Sequence, residues 1–277
     1  MAYRKTVASL VAAAALLGTS SASYAATDIS WWHAMGGRLG EVVVDISNGY
    51  NESQDACQIT PVFKGTYEET LTGAIAAFRA GEQPNIVQVF DAGAATVIGA
   101  KGATIPVQDL LEANGVDFDI EDYIPGVRYF YADADGKMIG MPFNSSAPIL
   151  YINEDAMKKA GVEAPKTYEE FAAIAPKLKD AGYVPLVQSH LPWEFVENFK
   201  SRHDLQFASN NNGYDGAEGT ELVFGDPIKN HFKAVKGWLD DGLFGYYGTG
   251  WGDNQTPFNE GKVAMWLGSS GSFGGLQ

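Results

Sequence analysis

Side chains that could bind a small molecule lie at the ends of predicted strands at several points along the chain. They comprise hydroxyl groups, a carboxylate and aromatic rings, and they are Tyr67, Asp91, Ser146, His190, Trp193, Ser269 and Ser270. A carboxylate and a phenol suit alcohol groups, because together they accept and donate hydrogen bonds. Serine hydroxyls and backbone N–H groups at helix N-termini suit an anion such as phosphate. A tryptophan face suits the apolar side of a polyol. These residue types predict a binding site for a small polar ligand.

The sequence lacks the common motifs of catalysis. It contains no Gly-x-Ser-x-Gly elbow, no phosphate-binding loop and no dinucleotide-binding fingerprint. None of its four histidines has a cysteine or a second histidine at metal-ligand spacing. The segment 133–136 could form a calcium loop, but further acidic residues do not follow at the required spacing, so a hairpin turn is favoured. We therefore expect a binding protein without a catalytic, metal or cofactor site.

Strands and helices alternate in the first part of the chain. Apolar periodicity predicts strands at 28–33, 57–63 and 86–90, the last of them buried, and helices at 38–50, 66–79 and 92–100. Thr66 and Glu69 form a capping box at the start of the second helix. This order predicts a parallel α/β sheet, in which ligands lie at the carboxyl ends of the strands. Tyr67 and Asp91 follow two such ends.

A second α/β unit follows a change of character after residue 115. The patterns predict a hairpin around the turn at 133–136, with strands at 127–131 and 137–141. Later strands are predicted at 148–152, 184–187 and 263–267, and helices at 154–160, 167–181 and 229–239. Thr167 and Glu170 form another capping box, and the last helix has an apolar side made of Phe232, Val235 and Leu239. We expect two lobes, 26–137 and 138–277, around a ligand cleft, since domain interfaces commonly hold small-molecule sites.

Residues 1–25 have the features of a secretory signal peptide. Arg4 and Lys5 precede an apolar stretch at 7–17, and the segment 23–25 places small residues at a signal peptidase site. A transmembrane anchor is the alternative, but the apolar stretch falls well short of the ~20 residues that a span needs. We expect cleavage after Ala25 and a periplasmic protein.

The charge and the cysteine count limit the possible partners. Without residues 1–25 the chain keeps 17 of its 19 basic residues against 34 acidic ones, a net charge of −17. Such a field repels nucleic acid and anionic lipid. Cys57 is the only cysteine, so no intrachain disulfide can form. We expect a monomer that binds a small molecule and no nucleic acid.

Several segments resemble the family 1 extracellular solute-binding proteins of ABC importers. The general family pattern occurs at 151–161 and 164–171. Closer matches to the glycerol-3-phosphate-binding branch occur at 63–69, 73–79, 141–146, 264–265 and 269–272. The resemblance covers nearly all of 29–277. It implies a type II periplasmic-binding-protein fold and a receptor that hands glycerol-3-phosphate, or a glycerophosphodiester, to membrane permease subunits.

The resemblance also assigns roles to single residues. Tyr67 matches a ligand-binding tyrosine that follows a Lys-Gly motif, and Asp91 stands where the family usually has a glutamate. Ser146 matches one ligand-binding serine. Ser269 matches another, and Ser270 lies within one position of it.

A tryptophan of the family site is displaced in this sequence. His190 stands close to its position, and Trp193 lies three residues further on. These departures leave a sugar or oligosaccharide receptor of the same fold as the alternative. An exported phosphoester hydrolase and a structural periplasmic protein are less favoured. The family continues well past residue 277, with a glycine, a tyrosine and an arginine of the site, so we expect a fold that is incomplete at the C-terminus.

Overall fold

A computed structural model describes residues 26–100, 102–133, 135–188, 191–213, 215–216, 218–250 and 252–276. The predicted signal peptide and His190 lie outside these residues. The chain forms two units, which divide after Gly93. The lobe boundary that the sequence places after residue 137 stays a prediction.

The first unit is built on a parallel sheet with the strand order β2-β1-β3. β1 and β2 pair along their whole length, whereas β3 pairs with β1 at two positions. The elements of this part are β1 (Thr27–His33), α1 (Gly37–Ser53), β2 (Cys57–Phe63), α2 (Tyr67–Ala80), β3 (Ile86–Val87) and α3 (Asp91–Gly99). The helix α3 begins in the first unit and continues past Gly93. The predicted parallel α/β arrangement is therefore confirmed.

The capping box of α2 forms as predicted. The Thr66 hydroxyl accepts the N–H of Glu69 at 3.2 Å, and the Glu69 carboxylate accepts the N–H of Thr66 at 2.7 Å. The prediction of a buried strand at 86–90 was wrong in length and burial. β3 has two residues, and the Ile86 side chain is 44% exposed. The chain leaves the ladder after Val87 and turns at Phe90, whose carbonyl accepts the N–H of Gly93.

The second unit contains a mixed sheet with the strand order β4-β7-β5-β6. β4 runs antiparallel to β7, and β5 runs parallel to both β7 and β6. The strands are β4 (Pro148–Ile152), β5 (Val184–Gln188), β6 (Phe244–Gly245) and β7 (Val263–Ser269). The helices are α4 (Val107–Ala113), α5 (Pro125–Arg128), α6 (Glu154–Ala160), α7 (Tyr168–Asp180), α8 (Asn198–Arg202), α9 (Ser209–Asn212), α10 (Asp226–Asp240) and α11 (Gln255–Asn259). A π-helix spans Leu191–Glu197, and a 3-10 helix spans Ser270–Leu276.

The core of the second unit lies around the central strand β7. Residues 263–266 of this strand are fully buried. Phe171 and Leu178 of α7 pack into the same hydrophobic cluster as Met265. None of the described helices combines the length and the apolarity that crossing a membrane requires.

The predicted strand at 127–131 was wrong. Pro125 opens the short helix α5 there, because its fixed φ suits the first helical turn. The predicted turn does form, since the Asp133 carboxylate accepts the N–H groups of Asp135 and Lys137. Only an isolated bridge between Ala132 and Met138 represents the predicted hairpin in the described residues.

Two helices of the second unit differ from prediction in detail. The Glu170 carboxylate of α7 accepts the N–H of Lys166, so only the Thr167 half of the predicted capping box forms. The buried side of α10 consists of Ile228, His231 and Val235, while Phe232 and Leu239 are exposed.

Candidate ligand-binding site

The carboxyl ends of the three strands in the first unit share one edge of the sheet, because the strands are parallel. The backbone is fixed at this edge: the N–H of Lys64 donates to the His33 carbonyl at 2.9 Å, and the N–H of Gln88 donates to the Trp32 carbonyl at 2.8 Å. The Gln88 side chain also accepts the N–H of Ala34 at 3.0 Å. These hydrogen bonds fix the backbone from which the side chains after the strand ends project.

Tyr67 and Asp91 both lie at this edge, as predicted. Tyr67 is the first residue of α2, and its ring stacks on Phe90 with centroids 5.2 Å apart and planes 15° apart. Asp91 follows Phe90 directly, and its carboxylate accepts the N–H of Ala92 at 2.8 Å. Both side chains are half-buried. Phe90 thus stacks on the Tyr67 ring and directly precedes Asp91 in the chain.

Two glycines allow this arrangement. Gly65 has a φ of +92°, and a Cβ at this position would collide with the Glu69 carboxylate of the capping box. A Cβ at Gly93 would lie 2.8 Å from both Leu71 and the Phe90 ring. Glycine at 65 therefore preserves the start of α2, and glycine at 93 preserves the platform under Tyr67.

Lys64 is a further residue at this edge that the sequence did not single out. Its ammonium lies 3.8 Å from the centroid of the Trp32 ring, a close cation–π contact. The two residues stand 32 positions apart, and only the pairing of β1 with β2 brings them together. The Lys-Gly pair directly after the predicted strand 57–63 was the feature of the sequence that could have pointed to Lys64.

In the second unit, the ends of β5 and β7 and the start of β4 share one edge of the sheet, because β4 alone is antiparallel to β7. Ser269 ends β7 opposite Pro148, the first residue of β4. Ser146 precedes β4 by two residues, and the π-helix that contains Trp193 follows β5. Ser146, Trp193 and Ser269 therefore precede, follow and end strands, respectively, at the same edge of the sheet.

Hydrogen bonds join Ser270 to Ala147, the residue that follows Ser146. The N–H of Ser270 donates to the Ala147 carbonyl at 2.9 Å, and the N–H of Ala147 donates to the Ser270 hydroxyl at 3.0 Å. The Ser269 hydroxyl accepts the N–H of Gly271 at 3.1 Å. Because both hydroxyls act as acceptors here, their own hydrogens can still be donated to a ligand. Ser146 is exposed and adjoins Ala147. We call Ser146, Ser269 and Ser270 the serine corner.

A buried aromatic pair supports the serine corner. The Tyr151 hydroxyl donates to the Ser269 carbonyl at 2.8 Å, and its ring stacks on Trp266 with centroids 4.7 Å apart. Burial raises the pKa of Tyr151, so the hydroxyl remains a donor. A Cβ at Gly268 would overlap the Trp266 indole. Ser269 is thus attached to the core through its own backbone.

The π-helix of residues 191–197 packs against a cluster of aromatic rings. Its Phe195 ring lies 5.4 Å from His231, which stacks on Phe199 at 4.1 Å. Burial, with a smaller contribution from the charge of His203, lowers the pKa of His231 to about 4. Trp193 is half-buried on this helix. Such segments occur often at functional sites, and this one fixes the turn that carries Trp193.

Other features of the described residues do not coincide with the predicted site. Two open depressions of about 470 and 460 Å³ both include Ile152, which ends β4 at the opposite edge of the sheet from Ser146. Among the described residues, no group of three or more His, Cys, Asp and Glu side chains could hold a metal ion. The polar strand ends remain the candidate site.

These features are typical of a solute-binding protein, and comparison with known proteins agrees. Residues 46–277 match the family described as bacterial extracellular solute-binding protein, and the chain belongs to this family.

Two relatives carry a more specific name. The chain is 39% identical over 265 residues to the sn-glycerol-3-phosphate-binding periplasmic protein UgpB of Rhizobium meliloti (strain 1021), with 94% of this chain and 61% of the relative covered. It is 40% identical over 282 residues to the protein of the same name from Agrobacterium fabrum, with 100% of this chain and 64% of the relative covered. The chain thus spans less than two thirds of the length of these relatives.

Solved structures show the same fold. The GacH receptor of Streptomyces glaucescens matches with a TM-score of 0.76 at 17% identity, over 91% of this chain and 62% of that one. The ABC substrate-binding protein Lmo0181 from Listeria monocytogenes matches with a TM-score of 0.76 at 17% identity, over 91% and 63%. The predicted α/β solute-binding fold is therefore confirmed, over part of the length of such proteins.

Proposed function

We propose that the protein is the substrate-binding component of an ABC importer, which captures glycerol-3-phosphate or a glycerophosphodiester in the periplasm and delivers it to the membrane permease. The serine corner is the observation that carries this proposal. It offers hydroxyl donors at one strand edge, in a chain that is 39–40% identical to proteins named for binding this ligand.

Both units supply chemistry that suits this ligand. The hydroxyls of Ser146, Ser269 and Ser270 donate hydrogen bonds to phosphate oxygens, which are strong acceptors. The Asp91 carboxylate and the Tyr67 phenol bind the glycerol hydroxyls. The carboxylate accepts hydrogen bonds, and the phenol both donates and accepts them. Trp193 offers an apolar face to the carbon chain.

The proposed role needs no covalent chemistry. The protein is exported through its signal peptide, acts as a monomer and releases the ligand unchanged to the permease. The strong negative charge of the protein does not prevent binding of an anion. The electrostatic potential at the site is set mainly by the hydrogen-bond donors fixed there.

Isothermal titration of the protein expressed from its whole gene tests this function. We expect saturable heat with glycerol-3-phosphate and with a glycerophosphodiester, and none with glycerol or maltose. A folded protein that gives no heat with either phosphorylated ligand contradicts the proposal, and heat with maltose instead supports a sugar receptor.

A matched pair of serine variants sharpens the test. Ser146→Ala removes an exposed hydroxyl of the serine corner, and we expect about tenfold weaker binding, the value of one hydrogen bond to a charged group. Ser145→Ala changes the same residue type one position earlier and should bind like the unmodified protein. Equal affinities for both variants would remove Ser146 from the site.

A further inference from the structure

We infer that Lys64 is the cation through which the first unit recognises the phosphate group of the ligand. This inference rests on the proposed function and names a specificity-determining residue for it. It follows from the charges of the first unit and from the contact that holds the Lys64 side chain.

Elimination among the basic residues points to Lys64. Residues 26–93 contain nine carboxylates and only three basic side chains, those of Arg38, Lys64 and Arg79. Arg38 is paired with Glu41 at 2.8 Å on the exposed surface of α1. Arg79 lies in the last turn of α2, at the other edge of the sheet from Tyr67. Lys64 alone combines a place at the ligand edge with an ammonium that, among the described residues, makes no ion pair.

The contact with Trp32 holds the Lys64 side chain in place. An ammonium 3.8 Å from the ring centroid is attracted by the ring without being neutralised by it. The backbone beside it is fixed, since the N–H of Lys64 donates to the His33 carbonyl. A half-buried lysine held on an indole therefore loses little side-chain entropy when it meets an anion.

The charge of the ligand gives the inference a specific signature. A phosphate monoester carries a charge close to −2 at neutral pH, whereas a diester has no second ionisation and carries −1. A cation at the site therefore favours glycerol-3-phosphate over a glycerophosphodiester. The serine hydroxyls, which are neutral, provide no such preference by charge.

The test compares the affinities of the two ligands in three variants of the protein expressed from its whole gene. We expect Lys64→Gln to weaken glycerol-3-phosphate about tenfold and the diester about threefold, and to flatten the salt dependence of binding. Lys64→Arg keeps the positive charge, and its affinity for each ligand should stay within about threefold of that of the unmodified protein. Arg79→Gln removes one positive charge from the far edge of the same unit and controls for net charge; it should leave the preference unchanged.

The outcomes separate this inference from the proposed function. If the unmodified protein folds but binds neither phosphorylated ligand, the proposed function fails and the inference falls with it. If the unmodified protein binds and Lys64→Gln keeps its preference for the monoester and its salt dependence, the inference alone is overturned. If Lys64→Gln does not fold, a salt series on the unmodified protein decides. A monoester preference that falls as the salt concentration rises supports the inference, and a preference that is constant from low to high salt counts against it.

Discussion

The two units support their candidate ligand-binding side chains in different ways. In the second unit, Ser269 ends a strand whose Trp266 is fully buried, and Tyr151 holds its carbonyl from the core. In the first unit, Tyr67 starts a helix and stacks on the half-buried Phe90. The site in the second unit is therefore coupled to global stability, whereas the site in the first depends on a helix cap and a loop. Changes next to Ser269 should mainly lower the stability of the protein, and changes next to Tyr67 should mainly reduce affinity.

The largest expected effect concerns His231 in the second unit. Burial lowers its pKa to about 4, and its Nε2 has no hydrogen-bond partner among the described residues. The unfolded chain, with an ordinary histidine pKa near 6.5, binds the proton first as the pH falls. The stability contributed by neutral His231 is thus present above about pH 6.5 and lost as the pH falls to about 4, a change of about 3 kcal/mol. Urea unfolding at a series of pH values measures it.

His231→Phe is the matched variant for this experiment. It keeps an aromatic ring against Phe199 and removes the titrating group, so most of the pH dependence in this window should disappear. Some slope should remain, because burial also lowers the pKa of His33 in the first unit, against a weaker opposing effect of its hydrogen bond with Met35. An unchanged slope in His231→Phe would show that the second unit does not dominate the acid response.

The next effect in size is that of Gly268→Ala. The added methyl overlaps the Trp266 indole, which is fully buried, and we expect a loss of about 2 to 3 kcal/mol. Binding should weaken with it, since Ser269 is the next residue. Gly274→Ala is the control, because a Cβ there meets no atom within 4 Å. Chemical unfolding of both variants checks the prediction; equal stabilities would show that the strand under the serine corner tolerates overpacking.

Local signals in the sequence were sufficient for most strands and for the strand-end residues. β2 and β4 have the predicted bounds because alternating or apolar runs are bordered by clear breaks, and the Thr66 cap is a four-residue signal. The contact of Lys64 with Trp32 depends on strand pairing and has no local pattern. The strand predicted at 127–131 failed because Pro125, just before it, starts a helix turn. Strand pairing therefore decided the first of these features, and a local proline signal decided the second.

The smallest expected effect is that of Gly65→Ala in the first unit. A residue with a Cβ is strained at a φ of +92°, and this Cβ also pushes the Glu69 carboxylate away from the N–H of Thr66. Together these changes should cost about 1 to 2 kcal/mol and displace Tyr67, so that ligand affinity falls more than stability does. Gly81→Ala, at the other end of the same helix, has a φ of +74° but no atom within 4 Å of its Cβ. It reproduces the backbone strain without the collision and should leave affinity unchanged. Equal losses of affinity in both variants would show that the start of α2 does not position Tyr67, and the contrast between the two units would then rest on the second unit alone.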